Sequence, residues 1–475
     1  MEKMIGAECL LPFPEAKKAE VDCLLLQEIE ADTKKIVVLD DDPTGVQTVH
    51  DVSVYTDWSL ESLRQGFSEK NKMFFVLTNS RGMTTAETTV LHHELIQNIA
   101  VVSKEMGIEP VIVSRSDSTL RGHFPLETQL IREEMEKELG IVMDGEVLCP
   151  FFREGGRFTI EDVHYVRYGE QLIPAAQTEF ANDKTFGYAH SNLKEYIEEK
   201  TKGAYPAEKV VSISLKEIRS LSYDVIEDKI LSVSNFGKMI VNAIDPYDIK
   251  VFAVALYRAM GKKHHFCFRC AATLAQVLGG VQERPLLKRQ EMISENIERG
   301  GIVIVGSHTQ KTTVQLMELL KLKNVVPIEM NSDLVLEGET ALQREARTIS
   351  RHCDEWIAKG KTPVVYTKRH LLTVANDSPE AALTRSVQIS NAVQSIVGAL
   401  RESPAFIVAK GGITSSDIGT KALRVRRAMV LGQICPGIPV WKTGAESRFP
   451  GIAYVIFPGN VGTETTLREV VERLS

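Results

Sequence analysis

The stretch IVVLDDDPTGVQ, Ile36 to Gln47, decides how this chain is read. An apolar run of strand character meets three consecutive aspartates, Asp40, Asp41 and Asp42, and then a Pro-Thr-Gly turn. A short apolar run closed by turn residues reads as a buried strand of a parallel sheet. In such sheets ligands sit beyond the carboxyl ends of the strands, which is where these acids fall. Side chains alternate along a strand, so Asp40 and Asp42 share a side and Asp41 opposes them if strand geometry persists that far. Crowded carboxylates repel, and one holds its proton unless a cation relieves the strain. A magnesium ion, a nearby arginine or a proton-transfer role each answers that problem. The competing reading is a solvated acidic turn; placement of DDDPTG at a strand end weighs against it.

The same design recurs after this stretch. MFFVLTNSRG (Met73 to Gly82) is an apolar strand followed by a polar turn, and Thr84 to Met106 follows as a helix with Leu91, Leu95 and Ile99 on one stripe. Val111 to Val113 make the next strand, Ser114 to His123 its loop, and Pro125 opens a helix that Gly140 ends. EVLCPFF is a fourth strand and DVSVYT a further one. Beyond Arg153, VHYV and YGEQLI form a hairpin of the kind that covers a ligand. VVSISL, KMIVNAI and HHFCFR add strands, with FAVALYRAM as a helix between the last two. A Gly-, Pro- and charge-containing linker lies within Leu278 to Glu291.

From Gly301 a second series begins: GIVIVGS, NVVPIE, TPVVYT, AFIVAKGG, IPVWKT and AYVIFPGN as strands, with helices such as Ser386 to Leu400 between them. Strand, loop and helix in alternation define an α/β fold. The expectation is two α/β domains, each a mostly parallel sheet flanked by helices, with a cleft between them. Residues 1–34 form an N-terminal helical extension, 35–285 the first domain and 286–475 the second.

A chain of 475 residues is too long for one core, in keeping with two domains. Hydrophobic content of 43% and charged content of 25% are those of a soluble globular protein. A net charge of -7 provides no electrostatic footprint for nucleic acid, and no apolar run reaches the roughly 20 residues of a membrane-spanning helix. The first residues lack the apolar core and cleavage site of a secretory signal, and seven irregularly spaced cysteines suit a reducing compartment, so a cytoplasmic location is expected.

Three glycine-rich strand ends mark the second half. They are Gly306-Ser307, then Gly411-Gly412-Ile413-Thr414, and finally Gly459-Asn460 with Gly462. Such turns present backbone N–H groups at helix N-termini, where the dipole favours anions, and glycine admits a phosphate closely. GSHTQKT lacks the last glycine of a P-loop, and no GxGxxG opens the first βα unit, which weakens a dehydrogenase reading. The first half offers Arg115, Asp117, Ser118, Thr119 and Arg121 in one loop, with Asn79, Ser80 and Arg81 in another. Arginine's planar fork matches a carboxylate, and the hydroxyls suit sugar oxygens. Cys267 and Cys270 form a CxxC inside an apolar segment, which reads as packing rather than as a metal or redox site. The pairs His92-His93 and His264-His265 read as surface or helix-end residues, and no residue is assigned as a metal ligand.

In order along the chain, DDDPTG, TNSRG, SDSTLRG, the GGRFT…LIPAAQTEFAND…HSNL stretch, RCAAT, AKGGITSSDIG, PGIPVW and GNVG resemble the four-carbon acid sugar kinases, long grouped as a domain of unknown function. The resemblance runs from about Lys35 to the C-terminus. It implies an N-terminal acid-sugar-binding domain and a C-terminal ATP-binding domain. It places the sugar acid at Asp41, Asp42, Asn79, Arg81, Asp117 and Arg121, with Arg115 in the same loop. It places ATP at Ser307, Gly411, Gly412, Thr414 and Gly459, alongside Ile413 and Asn460 in the same turns.

The expected activity is therefore ATP- and Mg2+-dependent phosphorylation of a hydroxyl of a short sugar acid such as threonate or erythronate. Asp41 or Asp42 would deprotonate that hydroxyl or hold magnesium. The expected partners are the sugar acid and ATP, with neither nucleic acid nor membrane, and a homo-oligomer is left open. The rival readings are a non-catalytic sensor of a sugar acid or nucleotide and, less favoured, a dehydrogenase.

Overall fold

Valine, isoleucine and phenylalanine crowd into short runs buried on both faces. Lys35–Asp40, Met73–Leu77 and Pro110–Arg115 are strands in which every residue is buried. That pattern belongs to a parallel sheet covered by helices on either side. The computed structural model describes residues 2–295, 297–370, 372, 374, 379–459 and 461–475. They divide into unit 1, Met1–Gly45 with Asp57–Gln282, and unit 2, Val46–Thr56 with Glu283–Ser475.

Unit 1 is built on seven strands paired in parallel, in the order Val211–Ile213, Gly237–Val241, Gly145–Cys149, Phe266–Cys270, Pro110–Arg115, Lys35–Asp40 and Met73–Leu77. Lys35–Asp40 thus lies inside the sheet, and its carboxyl end is flanked by the turns of both neighbours. Helix Thr85–Met106 buries Leu91, Leu95 and Ile99, and helix Leu126–Leu139 ends on Gly140 in the left-handed conformation. The expected hairpin is present as Val163–Tyr168 and Gln171–Pro174, in a small antiparallel sheet with Arg157–Ile160 and Ile5–Gly6. The N-terminal helix Glu15–Ala31 is docked rather than free. Its Asp22 and Glu28 pair with Lys250 at 2.6 Å and Arg258 at 2.8 Å on helix Pro246–Gly261.

Unit 2 holds five strands in parallel: Ala453–Phe457, Phe406–Lys410, Ile302–Val305, Thr362–Thr367 and Val325–Met330. Ile438–Thr443, Arg427–Cys435 and Val52–Tyr55 extend the sheet antiparallel from Ala453–Phe457. Two of these features depart from the sequence reading. Val52–Tyr55 falls in the second unit rather than the first, because its ladder runs along Arg427–Val430. Arg427–Cys435 is a strand that the reading left out. Its burial alternates regularly, but Met429 and Leu431 on the half-buried face are apolar too, so the sequence shows no polar alternation there. Among the described residues no helix is long and apolar enough to cross a membrane.

Candidate functional site

The acid cluster of unit 1 has a floor and a rim. Strand geometry ends at Asp40, so the expected alternation of Asp40 and Asp42 against Asp41 does not hold. Asp41 N–H makes the last rung of the ladder, donating to the carbonyl of Arg115 at 3.2 Å, and the chain turns away after it. Gly45 closes the turn back over Asp40, where a Cβ would stand 2.0 Å from Oδ1. On the floor, Arg115 Nη1 donates to Asp40 Oδ1 at 3.1 Å and stands 3.7 Å from Asp41 Oδ1. Both oxygens of Asp41 are buried without a hydrogen-bond partner.

At the rim, Arg81 pairs directly with Asp42 and lies 3.3 Å from Asp117. Arg121 Nε donates to Asp117 Oδ2 at 2.7 Å, and Thr119 donates to the same oxygen. Asp42 also accepts from the Thr44 amide at 2.8 Å and from its hydroxyl at 2.5 Å. Asn79 adopts a left-handed conformation at the head of the Ser80–Gly82 turn, and its amide donates to the carbonyl of Asp40 at 3.4 Å. The structure therefore gathers every expected unit 1 residue: Asp41, Asp42, Asn79, Arg81, Arg115, Asp117 and Arg121.

Electrostatics separates the acids into two kinds. Burial raises Asp40 to about 7 even against the Arg115 charge. Burial likewise raises Asp41 to about 6, opposed by Arg81 and Arg115. Desolvation acts on the half-buried Asp42 as well, yet Arg81 and the Thr44 hydrogen bonds prevail and hold it below the usual carboxylate range. Asp117 is likewise held well below that range, because Arg121 and Arg81 outweigh its desolvation. Asp42 and Asp117 are thus fixed anions that orient guanidiniums. Asp41 is poised to exchange a proton near neutral pH.

Sequence reasoning missed a supporting layer. Glu127 on helix Leu126–Leu139 accepts from Arg269 Nη1 at 3.0 Å, Ser80 Oγ at 2.5 Å and Ser114 Oγ at 3.2 Å. Arg269 Nη2 also holds the carbonyl of Arg121 at 2.9 Å. At Gly122 (φ +117°) a Cβ would meet Arg269 Nη2 at 2.9 Å and Asp41 Oδ2 at 3.4 Å, so the loop passes close over the unpartnered carboxylate. Phe180, beyond the hairpin, lies under the guanidiniums of Arg121 and Arg157, with ring centroids 5.1 and 5.3 Å away.

His92 corrects the surface reading. It is buried, with Nδ1 2.8 Å from the Thr88 carbonyl and Nε2 3.9 Å from Glu127. Its spacing to Leu95 and Ile99 carried that signal. Cys267 and Cys270 are both buried, and burial pushes both thiols up, consistent with packing.

In unit 2, Ser307, Gly411, Gly412, Ile413, Thr414 and Gly459 line one cavity of about 620 Å3, together with His308, Thr367, Ile389 and Val393. Asn460 lies outside the described residues. Glycine is required where the turns touch. A Cβ on Gly306 would meet Thr414 Oγ1 at 2.1 Å, and Gly411 has φ +122°. The amides of Ser307 and Gly411 are already used, on the carbonyls of Lys410 at 3.3 Å and Phe457 at 2.9 Å. The first turn of helix Gly412–Asp417 presents further N–H groups to an anion.

Two cations unmarked by sequence reasoning adjoin these turns. Lys410 is fully buried and donates to the carbonyls of Pro458 at 2.6 Å and Gly459 at 3.1 Å; burial lowers it to about 7. Arg369 Nη2 donates to the Ser307 carbonyl at 2.7 Å. Among the described residues no three His, Cys, Asp or Glu side chains gather as a metal-holding group.

The sequence matches two domain families, one on each side of the linker near residue 283. Residues 36–278 match a sugar-binding N-terminal domain and residues 302–467 a nucleotide-binding C-terminal domain. A sugar-binding unit joined to a nucleotide-binding unit is the class that the fold and the two sites define. The chain belongs to the four-carbon acid sugar kinase family.

Two solved structures share the fold over 92% of this chain. One is a Haemophilus influenzae protein of the domain-of-unknown-function group, 16% identical, TM-score 0.61, covered over its full 100%. The other is a Salmonella typhimurium LT2 protein named as a candidate tRNA synthase, 14% identical, TM-score 0.66, covered over 98%. At these identities the likeness is one of fold alone. No curated protein matches the sequence.

Proposed function

We propose that the protein is an ATP-dependent kinase that phosphorylates a hydroxyl of a short, four-carbon-like sugar acid such as threonate or erythronate. The observation that carries this reading is the Asp41 carboxyl: buried, without a hydrogen bond and raised to about 6, beside the Arg81 and Arg115 guanidiniums on a sugar-binding domain. A general base works best with a pKa near the working pH, and a carboxylate without competing hydrogen bonds is free to take a hydroxyl proton. Asp42 and Asp117 are committed to Arg81 and Arg121, which stand at the rim to meet the substrate's carboxylate in bidentate fashion.

ATP occupies the glycine-turn cavity of the second domain, whose size suits a small-molecule site. Magnesium would enter on the nucleotide's phosphates, the usual mode in phosphoryl transfer. Bound there, Mg2+ supplies neutralisation of charge on the transferring phosphoryl group. The protein's share is to position both ligands and to accept the hydroxyl proton at Asp41. We place the reaction in the cytoplasm, where ATP is at hand and the seven free cysteines stay reduced.

A coupled ADP-release assay across threonates, erythronates and related sugar acids tests the reading. Turnover with one or a few of these acids is expected. Binding of acid and ATP with no ADP release from any member of the panel would instead favour a non-catalytic sensor.

A further inference from the structure

Unit 2 contains a second cavity, of about 310 Å3, away from the glycine turns. Helices Glu339–Ala358 and Pro379–Ala399 supply Gln343, Arg347 and Gln394, and the chain after residue 420 supplies Lys421, Arg424 and Arg448. Four cations and no carboxylate line it.

Only part of that charge is answered within the chain. Lys421 pairs with Asp417 at 2.7 Å, one turn back, in an exposed geometry that stabilises little. Arg448 Nη2 donates to the carbonyl of Leu400 at 2.5 Å. Among the described residues the guanidiniums of Arg347 and Arg424 have neither a hydrogen bond nor an ion pair. Exposed arginines usually point at water, and one alone would mean nothing. Here four like charges converge on a concave site in which two glutamines offer neutral donors and acceptors. The backbone is shaped to keep them there. Ile418–Ala422 is a π-helical turn, a rare form that concentrates at functional sites. Arg424 follows it at φ +53°, a conformation unusual for arginine. Gly398 packs against this turn, since a Cβ there would stand at ordinary contact distance, 3.6 Å, from Ala422 Cα.

We propose that this cavity is a second binding site, separate from the glycine-turn cavity, for a small polyvalent anion bearing phosphate. Guanidinium forks and an ammonium are the groups that hold phosphate oxygens, and a multivalent anion relieves several mutually repelling cations at once. The cavity's volume, at the lower end for small-molecule sites, suits a compact ligand.

Hydrogen exchange of the full chain, with inorganic pyrophosphate as probe at fixed ionic strength, tests the assignment. Protection is expected over residues 394–399 and 419–425. In Arg347→Ala/Arg424→Ala the apparent affinity at those segments should fall by roughly tenfold or more, as expected for lost charge-assisted hydrogen bonds. Arg347→Lys/Arg424→Lys should retain intermediate protection. Both arginines are exposed, so these variants keep the fold. Protection confined to 306–309 and 411–415, equal protection in the alanine variant, or no protection at millimolar pyrophosphate would each overturn the proposal.

Discussion

Arg115 Nη1 meets Asp40 Oδ1 at 3.1 Å with both side chains sealed from solvent, yet the carboxyl is still raised to about 7. Desolvation therefore outweighs the ion pair. A carboxyl raised in the folded state keeps a proton that the unfolded chain releases, so its contribution to stability falls as pH rises from about 4 to about 7. Asp40→Asn removes that dependence. A guanidinium stays charged across this range, so losing its partner costs the same at both ends of it. Relative to wild type, Asp40→Asn should be more stable at pH 8 than at pH 4, by an amount on the order of a few kcal/mol at about 1.4 kcal/mol per pKa unit. Urea unfolding at both pH values measures it, and a pH-independent difference contradicts the assignment.

Much of this arrangement is legible in the sequence, for a physical reason. A strand buried on both faces must be continuously apolar, so Lys35–Asp40 and its neighbours stand out, and polar residues at their ends mark the ligand face. What stays hidden depends on partners remote in sequence. Lys410 in AKGG reads as an ordinary turn lysine, because the carbonyls it holds lie 48 and 49 residues further on. Glu127 and Arg269 are linked across 142 residues. The place of Val52–Tyr55 is set by a strand near residue 430, more than 370 residues further on, whose half-buried face is also apolar. Asp40 and Asp41 look equivalent in sequence. The end of the strand between them makes one an ion-pair partner and leaves the other without a hydrogen bond.

Arg121 should govern acid affinity without touching the nucleotide. Arg121→Ala should weaken sugar-acid binding by about tenfold or more, the scale of a lost charge-assisted hydrogen bond. Arg121→Lys, which keeps the charge but loses the fork, should fall between. Separate titrations of acid and ATP check this. Retained acid affinity with lost ATP binding would make Arg121 a phosphate clamp instead.

Lys410 should give nucleotide binding a pH dependence. With its ammonium lowered to about 7, the free protein loses that charge as pH rises through neutrality. A bound polyphosphate favours the charged form, so ATP should bind more tightly at pH 6 than at pH 8 through proton uptake. Lys410→Met should weaken binding at pH 6 more than at pH 8. The nucleotide's own titration is common to both proteins and cancels in the comparison. Calorimetric titration at the two pH values decides it, and an unchanged pH profile in Lys410→Met would rule the residue out.

The most direct measurement is the turnover of Asp41→Asn on the best sugar acid of the panel, followed by ADP release, with acid and ATP affinities taken on the same protein. The substitution is isosteric and neutral at a site where charge is costly, so the fold should survive and both ligands should still bind. If Asp41 takes the hydroxyl proton, kcat should fall by about 100-fold to 10,000-fold, the usual share of general base catalysis. Turnover within twofold of wild type, with binding intact, would contradict the account.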